Sequence, residues 1–380
     1  MARIVVSGTM IREPRGGSNL WYLAWLVGFK MNGHEVYFVE KSEWPNDCYD
    51  IPNRKMTSDC SYGYGVIKQL LEKYDLHNNF CFVDNDGAYH GLNKAFVRQL
   101  FRTADLYVDL EWAQWKEESA YCRMRVFVDG EPGWFQVRIK KWIESGMVLP
   151  AYNHFFTDGN LIGTEHCDVP TCGIEWKHNL PPVLLQEIRY APANGASAFT
   201  TVMNWNPNKK VAYDGKEYGH KDIEFEKIMS LPSKVNDQME VAVSGNKIPW
   251  GKLKDNGWLA KKGDDISLSA SSYLDYIARS KGEFSVAKQA FVTTQCGWFN
   301  DRSGYYMGFG KPVVLQETGY SKILPTGIGL VPFTTIDEAA DAIRDVSSNY
   351  ASHSKAARAL AYEYMEAGKV TRKFLDKIGI

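Results

Sequence analysis

QCGWFNDRSGYYMGFGKPVVLQETGYSKILPTGIGLVP, at residues 295–332, is the stretch of sequence that decides the fold. It begins with a turn of small and polar residues at 296–303, and a short helix is predicted to follow at 304–309. Gly310 and Pro312 end this helix, because glycine suits the position just past a helix and proline cannot continue one. The stretch therefore predicts a loop that leads directly into the N-terminus of a helix.

Two apolar runs follow the helix, at residues 313–315 and 330–333. Short, continuous apolar runs are typical of strands that are buried on both faces in a parallel sheet. A polar elbow at 316–319 and a glycine-rich turn at 325–329 separate the two runs. Helix, strand, turn and strand in this order indicate part of an α/β domain.

The loop brings Asp301, Arg302 and Ser303 to the start of the predicted helix. Free backbone N–H groups and the positive end of the helix dipole favour anions there, and Arg302 adds a planar fork of donors that suits phosphate. Ser303 is expected both to cap the helix and to contact the phosphate. The alternative is that Asp301 and Ser303 only cap the helix while Arg302 is solvated.

The pattern of residues 295–332 resembles the donor-binding half of GT-B-type glycosyltransferases. Its opening, Cys296-Gly297-Trp298, is similar to the start of the donor motif in nucleotide-sugar glycosyltransferases of the plant and antibiotic type. The resemblance covers residues 285–343. It implies an α/β fold in which two Rossmann-like, doubly wound domains face each other across a cleft.

The sequence also departs from the pattern of that family. Gln295 stands where the family has a histidine, and Tyr305 stands where it has the glutamate that holds the ribose. Asp301 is the acid that could substitute for this glutamate, and the family serine corresponds to Ser303. The positions at which the family contacts the sugar hydroxyls are Glu317, Thr318 and Gly319.

The start of the chain predicts a βαβ unit, with a strand at 2–8, a helix at 19–32 and a second strand at 35–39. The glycine pair Gly16-Gly17 precedes the helix. In GT-B enzymes, which this pattern resembles, such a pair lets the backbone approach the donor phosphate or the acceptor. The alternative is a tight turn that needs glycine only for its conformation.

Three side chains near the ends of predicted strands are candidates for the base that removes the acceptor's proton. Asp129 and Glu131 follow a strand at 125–128, and His154 begins an apolar run that ends at Asp158. Polar groups at the carboxyl ends of parallel strands lie at the crevice where open α/β sheets bind ligands. Taken alone, each is more often structural, but together they form a pool of general bases.

Three more residues extend the predicted donor site by resemblance. Lys221 begins a predicted helix at the position where many retaining GT-B enzymes place a lysine on the donor phosphates. Trp258 lies where related enzymes hold the nucleotide base, often by stacking. Lys288 precedes a predicted strand at 290–294 and faces either phosphate or solvent.

The length of 380 residues fits two domains better than one core. We predict an acceptor-binding domain at 1–182, a donor-binding domain at 183–350 and C-terminal helices at 351–380 that pack back on the first domain. The net charge of −1 argues against a protein that coats nucleic acid. No apolar run approaches the ~20 residues that span a membrane.

Seven scattered cysteines and the lack of a signal peptide favour reduced thiols in a cytoplasm. One local group, His166, Cys167, Cys172 and His178, carries the atom types that bind zinc, but its spacing matches no ordinary zinc pattern. We therefore predict no metal site.

The sequence predicts a glycosyltransferase that moves a hexosyl or pentosyl group from a nucleotide sugar, expected to be a UDP-sugar, to a hydroxyl-bearing acceptor. A helix N-terminus and cationic side chains would stabilise the leaving diphosphate, so the reaction requires no metal or other cofactor. The acceptor stays open between a small molecule, a glycan and a modified nucleobase in DNA. The alternatives are a GT-B-fold sugar-nucleotide epimerase, which needs no acceptor, and a binding protein without catalysis.

Overall fold

The computed structural model describes residues 1–193, 198–206 and 210–380. These residues form two lobes, and each lobe is built around its own β-sheet. The strands of the N-terminal lobe are β1 Arg3–Ser7, β2 Glu35–Lys41, β3 Cys48–Asp50, β4 Lys55–Thr57, β5 Phe80–Val83, β6 Tyr89–Gly91, β7 Leu106–Asp109, β8 Met124–Asp129, β9 His154–Thr157 and β10 Trp176–His178. Its helices are α1 Gly16–Met31, α2 Ser61–Glu72, α3 Lys94–Thr103 and α4 Trp134–Glu144.

The C-terminal lobe follows with its own set of strands and helices. Its strands are β11 Phe199–Asn204, β12 Val211–Tyr213, β13 Lys216–Tyr218, β14 Met239–Ser244, β15 Leu259–Lys262, β16 Gly282–Ser285, β17 Val313–Gln316 and β18 Leu330–Phe333. Its helices are α5 Lys221–Lys227, α6 Trp250–Asp255, α7 Gly263–Ile266, α8 Ala270–Arg279, α9 Gln289–Thr294, α10 Asp301–Gly308 and α11 Ile336–Ser348. The chain ends with α12 Tyr350–Tyr364 and α13 Ala367–Asp376.

Both sheets have the same strand order. The N-terminal sheet runs β10-β9-β8-β7-β1-β2-β5-β6, and β6 is its antiparallel edge. The C-terminal sheet runs β15-β14-β11-β16-β17-β18, and its strands are parallel. In each sheet the chain winds from the middle to one edge and then from the middle to the other. This is the doubly wound order, whose ligand crevice lies where the order reverses, between β1 and β7 and between β11 and β16.

Strand β1 shows how the N-terminal sheet is covered on both faces. Ile4 and Val6 pack in one buried cluster with side chains of α1 and α13, whereas Val5 packs in another with side chains of α3. None of the three has exposed surface. The continuous apolar run of β1 is therefore explained by helices on both sides of the sheet.

Helix α13 belongs to the packing of the N-terminal lobe although it ends the chain. The Phe374 ring lies 5.1 Å from the Trp25 ring of α1, 5.8 Å from the Phe29 ring and 4.4 Å from the Phe156 ring of β9. All four side chains are fully buried. The first and last helices of the chain thus share one core.

The chain crosses between the lobes twice, and the two crossings lie side by side. The Val183 N–H donates to the Met365 carbonyl at 2.8 Å, and the Ala367 N–H donates to the Val183 carbonyl at 3.0 Å. These hydrogen bonds tie the outgoing and returning segments into one connection. The domain boundaries predicted from the sequence remain a proposal.

Most of the predicted elements are present. The βαβ unit is confirmed as β1, α1 and β2, and the strands after the helix are confirmed as β17 and β18. The predicted strand at 290–294 is wrong, because these residues form α9 and the sheet position is filled by β16. A short apolar run does not distinguish a strand from a buried helix by its periodicity. Among the described residues, no helix combines the length and the apolar character that crossing a membrane requires.

Gly16 and Gly17 lie at a close contact between the lobes rather than in an open phosphate loop. The Gly16 N–H donates to the Ser267 carbonyl at 2.9 Å. A Cβ on Gly16 would lie 2.1 Å from the Ser269 carbonyl oxygen, and one on Gly17 would lie 3.1 Å from the Tyr273 ring. Both glycines are therefore explained by the approach of α1 to the C-terminal lobe, and the expected donor role does not fit them.

We expect Gly16→Ala to lower the free energy of unfolding by about 2 kcal/mol or more, because the added methyl group forces backbone apart at the contact between the lobes. Gly65→Ala is a matched control, since Gly65 lies inside α2 and a Cβ there meets nothing within 4 Å. That change should stabilise the protein by about 0.5–1 kcal/mol. Urea denaturation measures both, and equal stability of Gly16→Ala and the unchanged protein would contradict this contact.

Candidate functional site

The loop at 296–298 joins the C-terminal lobe to the N-terminal lobe. The Leu161 N–H donates to the Cys296 carbonyl at 2.9 Å, and Gly159 and Trp298 form an antiparallel bridge. Gly297 has a φ of +77°, and a Cβ there would lie 2.9 Å from Leu161. The Cys-Gly-Trp run therefore docks the lobes onto each other, and the residues around it line the seam between them.

Strands β11 and β16 separate near this seam, at the point where the order of the C-terminal sheet reverses. They pair only at Phe199 with Gly282 and at Thr200 with Glu283. By contrast, β11 pairs with β14 along its whole length. The sheet therefore splits towards the carboxyl ends of β11 and β16, where doubly wound sheets bind their ligands.

Arg302 of α10 fills this split. Its Nη1 donates to the Val202 carbonyl, its Nη2 to the Ser285 hydroxyl and its Nε to a Glu283 carboxylate oxygen, each at 2.7 Å. The other Glu283 oxygen is buried and has no partner among the described residues. Arg302 thus satisfies the backbone of one strand and the side chains of the other, so its guanidinium is not an open fork for phosphate.

Two lysines lie next to this ion pair. The Lys221 side chain is buried, and no hydrogen bond or ion pair to its ammonium is found within the described parts of the chain. Burial, and then the charge of Arg302, hold the Lys221 pKa well below its ordinary value. Lys288 forms an ion pair with Glu131 of the opposite lobe. Both acids, Glu283 and Glu131, act on Lys221 electrostatically, so the charged groups of both lobes converge here.

The cap of α10 differs from the sequence expectation. Asn300 is the N-cap, and its side-chain oxygen accepts the Ser303 N–H at 2.8 Å. The Ser303 side chain has no exposed surface and its hydroxyl donates to the same Asn300 oxygen at 3.3 Å. Ser303 is therefore neither the cap nor an accessible phosphate ligand. Asp301 opens the helix, and burial raises its pKa to about 6.

Acidic side chains of the N-terminal lobe face this end of α10. Asp129 accepts hydrogen bonds from the Glu131 N–H, the Gln136 amide and the Thr157 hydroxyl, and burial raises its pKa to about 6. Asp158 is also buried, and one of its carboxylate oxygens has no partner in the described chain. Burial raises its pKa well above the ordinary value, and the charges of Asp129 and then Asp301 add to this shift.

His154 and Trp258 do not reach the seam. His154 is the first residue of β9 and therefore lies at the amino edge of the sheet, opposite the carboxyl edge where Asp129 lies. Trp258 is 3% exposed, packs on Phe225 at 4.8 Å and donates its indole N–H to the Met229 carbonyl at 2.8 Å. The expected roles of a base and of a stacking surface do not fit these positions.

The polar elbow after β17 supports the docking loop. The Thr318 hydroxyl donates to the Trp298 carbonyl at 2.6 Å, and the Thr318 side chain is fully buried. Gly319 has a φ of +97° and donates its N–H to the Glu317 carboxylate at 2.5 Å. One Glu317 oxygen is thus used within its own turn.

Tyr305, at the position of the family's ribose-binding glutamate, is also committed to packing. It is fully buried, and its hydroxyl donates to the Leu20 carbonyl of α1 at 3.3 Å. The same hydroxyl accepts the Leu184 N–H at 3.5 Å. This position joins the two lobes and offers nothing to a ribose.

Glu111 is a carboxylate at the crevice that the sequence analysis did not select. It follows β7, beside the reversal of the N-terminal sheet, two residues past Asp109, the last residue of that strand. The Tyr22 hydroxyl donates to it, and burial raises its pKa. The signal was available, because an acid two residues past the carboxyl end of a parallel strand lies at the ligand crevice.

Metal ligands do not gather in the part of the chain that the structure describes. No group of three or more His, Cys, Asp or Glu side chains there is arranged to hold an ion. In the group weighed for zinc, His178 is hydrogen-bonded to the Ile162 carbonyl at 2.8 Å. All seven cysteines are free thiols.

The fold is that of GT-B glycosyltransferases, with two Rossmann-like domains facing each other. An alpha-glucosyltransferase in complex with UDP and a 13-mer DNA has a TM-score of 0.60 and 12% identity over 100% of both chains. HepE of Anabaena in complex with UDP and glucose has a TM-score of 0.55 and 12% identity over 100% of both chains.

A glycosyltransferase of Rickettsia africae has a TM-score of 0.51 and 10% identity over 99% of this chain and 97% of that chain. No protein-family model matches this sequence, and no curated protein matches it. At these identities the likeness establishes the fold alone.

We expect Arg302→Ala to lower the free energy of unfolding by about 3–5 kcal/mol, because it leaves the buried Glu283 carboxylate without its cation. Arg344→Ala is the control, since Arg344 forms an exposed ion pair with Asp341 and should lose less than about 1 kcal/mol. Chemical denaturation of both variants measures the difference. An Arg302→Ala protein with unchanged stability and weakened binding of nucleoside diphosphates would instead support the role expected from the sequence.

Proposed function

We propose that this protein transfers a sugar from a nucleotide-sugar donor to a hydroxyl-bearing acceptor at the seam between its lobes. The observation that carries the proposal is Lys221, a lysine with a buried side chain whose amino group has no hydrogen bond or ion pair among the described residues, at the ligand crevice of the C-terminal sheet. Burial and the charge of Arg302 lower its pKa, and groups shifted in this way concentrate at functional sites. An anionic ligand would supply the missing partner.

The charge distribution suits the departure of a diphosphate. Negative charge grows on the leaving group as the bond from the anomeric carbon to oxygen breaks, and fixed cations in a site with little water stabilise it effectively. Lys221 and Lys288 would contact the phosphates, while Arg302 holds β11 and β16 in place beside them. In this proposal the lysines balance the charge of the diphosphate and no metal ion is needed, so EDTA should leave the rate unchanged.

Glu111 is our candidate for the group that receives the acceptor's proton. It lies at the carboxyl edge of the N-terminal sheet, and its raised pKa brings a carboxylate closer to the range in which it acts as a base near neutral pH. The hydroxyl of Tyr22 fixes its orientation. Asp129 is less suited to this task, since both of its oxygens accept hydrogen bonds from the protein.

The nature of the donor and acceptor is suggested by proteins of the same fold. Alpha-glucosyltransferase structures hold UDP, UDP-glucose and DNA, and HepE structures hold UDP with glucose or UDP-glucose. We therefore propose a UDP-sugar as donor. One alpha-glucosyltransferase complex contains DNA with a HMU base, so such DNA belongs in an acceptor panel beside small molecules and glycans.

We expect Lys221→Gln to weaken UDP binding about 10- to 100-fold, the amount that a charge-assisted hydrogen bond contributes. The same variant should melt at a higher temperature without ligand, because an unpaired buried charge is gone. Isothermal titration calorimetry with UDP and UDP-glucose, together with thermal melting, measures both effects. Weaker UDP binding together with a higher melting temperature would show that Lys221 serves ligand binding rather than the stability of the fold.

Lys254→Gln is the matched control for this experiment. Lys254 lies near the end of α6, is exposed, and should change neither the UDP affinity nor the melting temperature. If Lys221→Gln bound UDP as tightly as the unchanged protein does, Lys221 would not be part of the donor site. If the unchanged protein bound no nucleotide or nucleotide sugar, the whole proposal would fail.

Glu111→Gln should leave the UDP affinity within about twofold of the unchanged value and reduce sugar transfer about 100-fold or more, the usual effect of losing a general base. Release of UDP from UDP-glucose, measured with each member of the acceptor panel, gives the rate. Glu117→Gln is the control, because Glu117 lies in the same loop and is exposed. Conversion of the UDP-sugar by the unchanged protein without any acceptor would assign the site to an isomerase instead.

A further inference from the structure

The ion pair between Lys288 and Glu131 connects the lobes across their charged seam. Lys288 precedes α9 in the C-terminal lobe, and Glu131 lies in the turn between β8 and α4 of the N-terminal lobe. The Glu131 side chain is 59% exposed, whereas that of Lys288 is 20% exposed. The carboxylate thus reaches from the solvent side onto a cation that is largely covered.

Glu131 serves more than one cation. It acts electrostatically on Lys221 as well as pairing with Lys288. Arg302 is already neutralised by Glu283 in the split between the strands. Without Glu131, Lys288 would have no ion pair among the described residues, and Lys221 would keep the attraction of Glu283, which already pairs with Arg302.

The turn that carries Glu131 is held independently of its carboxylate. The Glu131 N–H donates to Asp129 at 2.8 Å, and the Gly133 N–H donates to the Gln136 side chain at 2.6 Å. The Gln136 amide in turn donates to Asp129 at 2.7 Å. The Glu131 side chain can therefore rotate into solvent while the backbone of the turn keeps its place.

We propose that the Glu131 carboxylate stands in for a phosphate group of the substrate and is displaced from Lys288 when a diphosphate binds. This inference rests on the proposed function. It adds that the ion pair between Glu131 and Lys288 occupies the phosphate site while no ligand is bound. A diphosphate replaces one negative charge with two or more, so it gains from the exchange. A monophosphate ester, with about 1.5 to 2 negative charges at neutral pH, gains less, because it places one phosphate group against the two lysines where a diphosphate places two. The site should therefore prefer diphosphates to monophosphates.

Glu131→Gln of the full chain tests the proposal with inorganic pyrophosphate, UDP and UMP as probes in calorimetry. Removing the competing carboxylate should tighten pyrophosphate binding up to about fivefold, the most that a partly exposed ion pair contributes. UDP should tighten by a similar factor, because it displaces the same carboxylate, and UMP should gain no more than UDP. A merely structural role for Glu131 would not tighten the binding of either pyrophosphate or UDP.

Glu144→Gln provides the matched control. Glu144 is the last residue of α4, its side chain is 57% exposed, and it pairs with Lys140 as Glu131 pairs with Lys288. This variant should bind pyrophosphate within about twofold of the unchanged protein, in contrast to the larger effect at Glu131. Melting temperatures of both variants check that they are folded.

Two results would overturn the proposal, and they differ from each other. If the unchanged protein binds UDP and Glu131→Gln binds pyrophosphate equally well or more weakly, the displacement idea is wrong while the proposed function stands. If neither protein binds UDP, UDP-glucose or pyrophosphate, the proposed function fails and takes this inference with it.

Discussion

The buried pair of Arg302 and Glu283 is the interaction on which the C-terminal lobe depends. Strands β11 and β16 stop pairing after Thr200, and an open split would leave polar backbone groups without partners. The guanidinium donates to the Val202 carbonyl and to Ser285, and so closes the split with side-chain hydrogen bonds. Because Arg302 belongs to α10, the same contact fixes that helix and the docking loop before it against the sheet.

In the N-terminal lobe, buried acidic side chains likewise satisfy backbone groups at strand ends, with one exception. Glu40, Asp109 and Asp129 lie at the carboxyl ends of β2, β7 and β8, and each accepts backbone N–H groups of the loop near it. These carboxylates hold the crevice loops in place, which explains why they are buried. Asp158 has no such hydrogen bond in the described chain, and one of its carboxylate oxygens has no partner there. Asp158 is therefore the acid at this crevice whose burial no loop contact explains.

The architecture could be predicted from the sequence because strands and helix ends are determined by local features, namely hydrophobic periodicity and the placement of glycine. Strands β1, β17 and β18 are continuous apolar runs, and α10 begins within its predicted loop. Local signals could not choose among Asn300, Asp301 and Ser303 as the cap, since all three residue types favour that position.

The candidate site was harder to predict because it depends on contacts far apart in the sequence. Glu283 lies 19 positions before Arg302, and nothing near Arg302 in the chain indicates that this acid neutralises it. His154 begins β9, as its sequence position indicates, but that end of the strand lies away from the crevice, and Trp258 fills a core instead of stacking on a nucleotide base. Glu111 could have been found from its position after β7.

The placement of α13 has a consequence for the order of events during synthesis. Trp25, Phe29 and Phe156 belong to the lobe that is synthesised first, yet the ring that covers them, Phe374, is made after the whole C-terminal lobe. Domains generally fold as units and start from the N-terminus as the chain is made. Here the first lobe cannot complete its core until the whole second lobe has been synthesised, so its aromatic surface stays uncovered for that time.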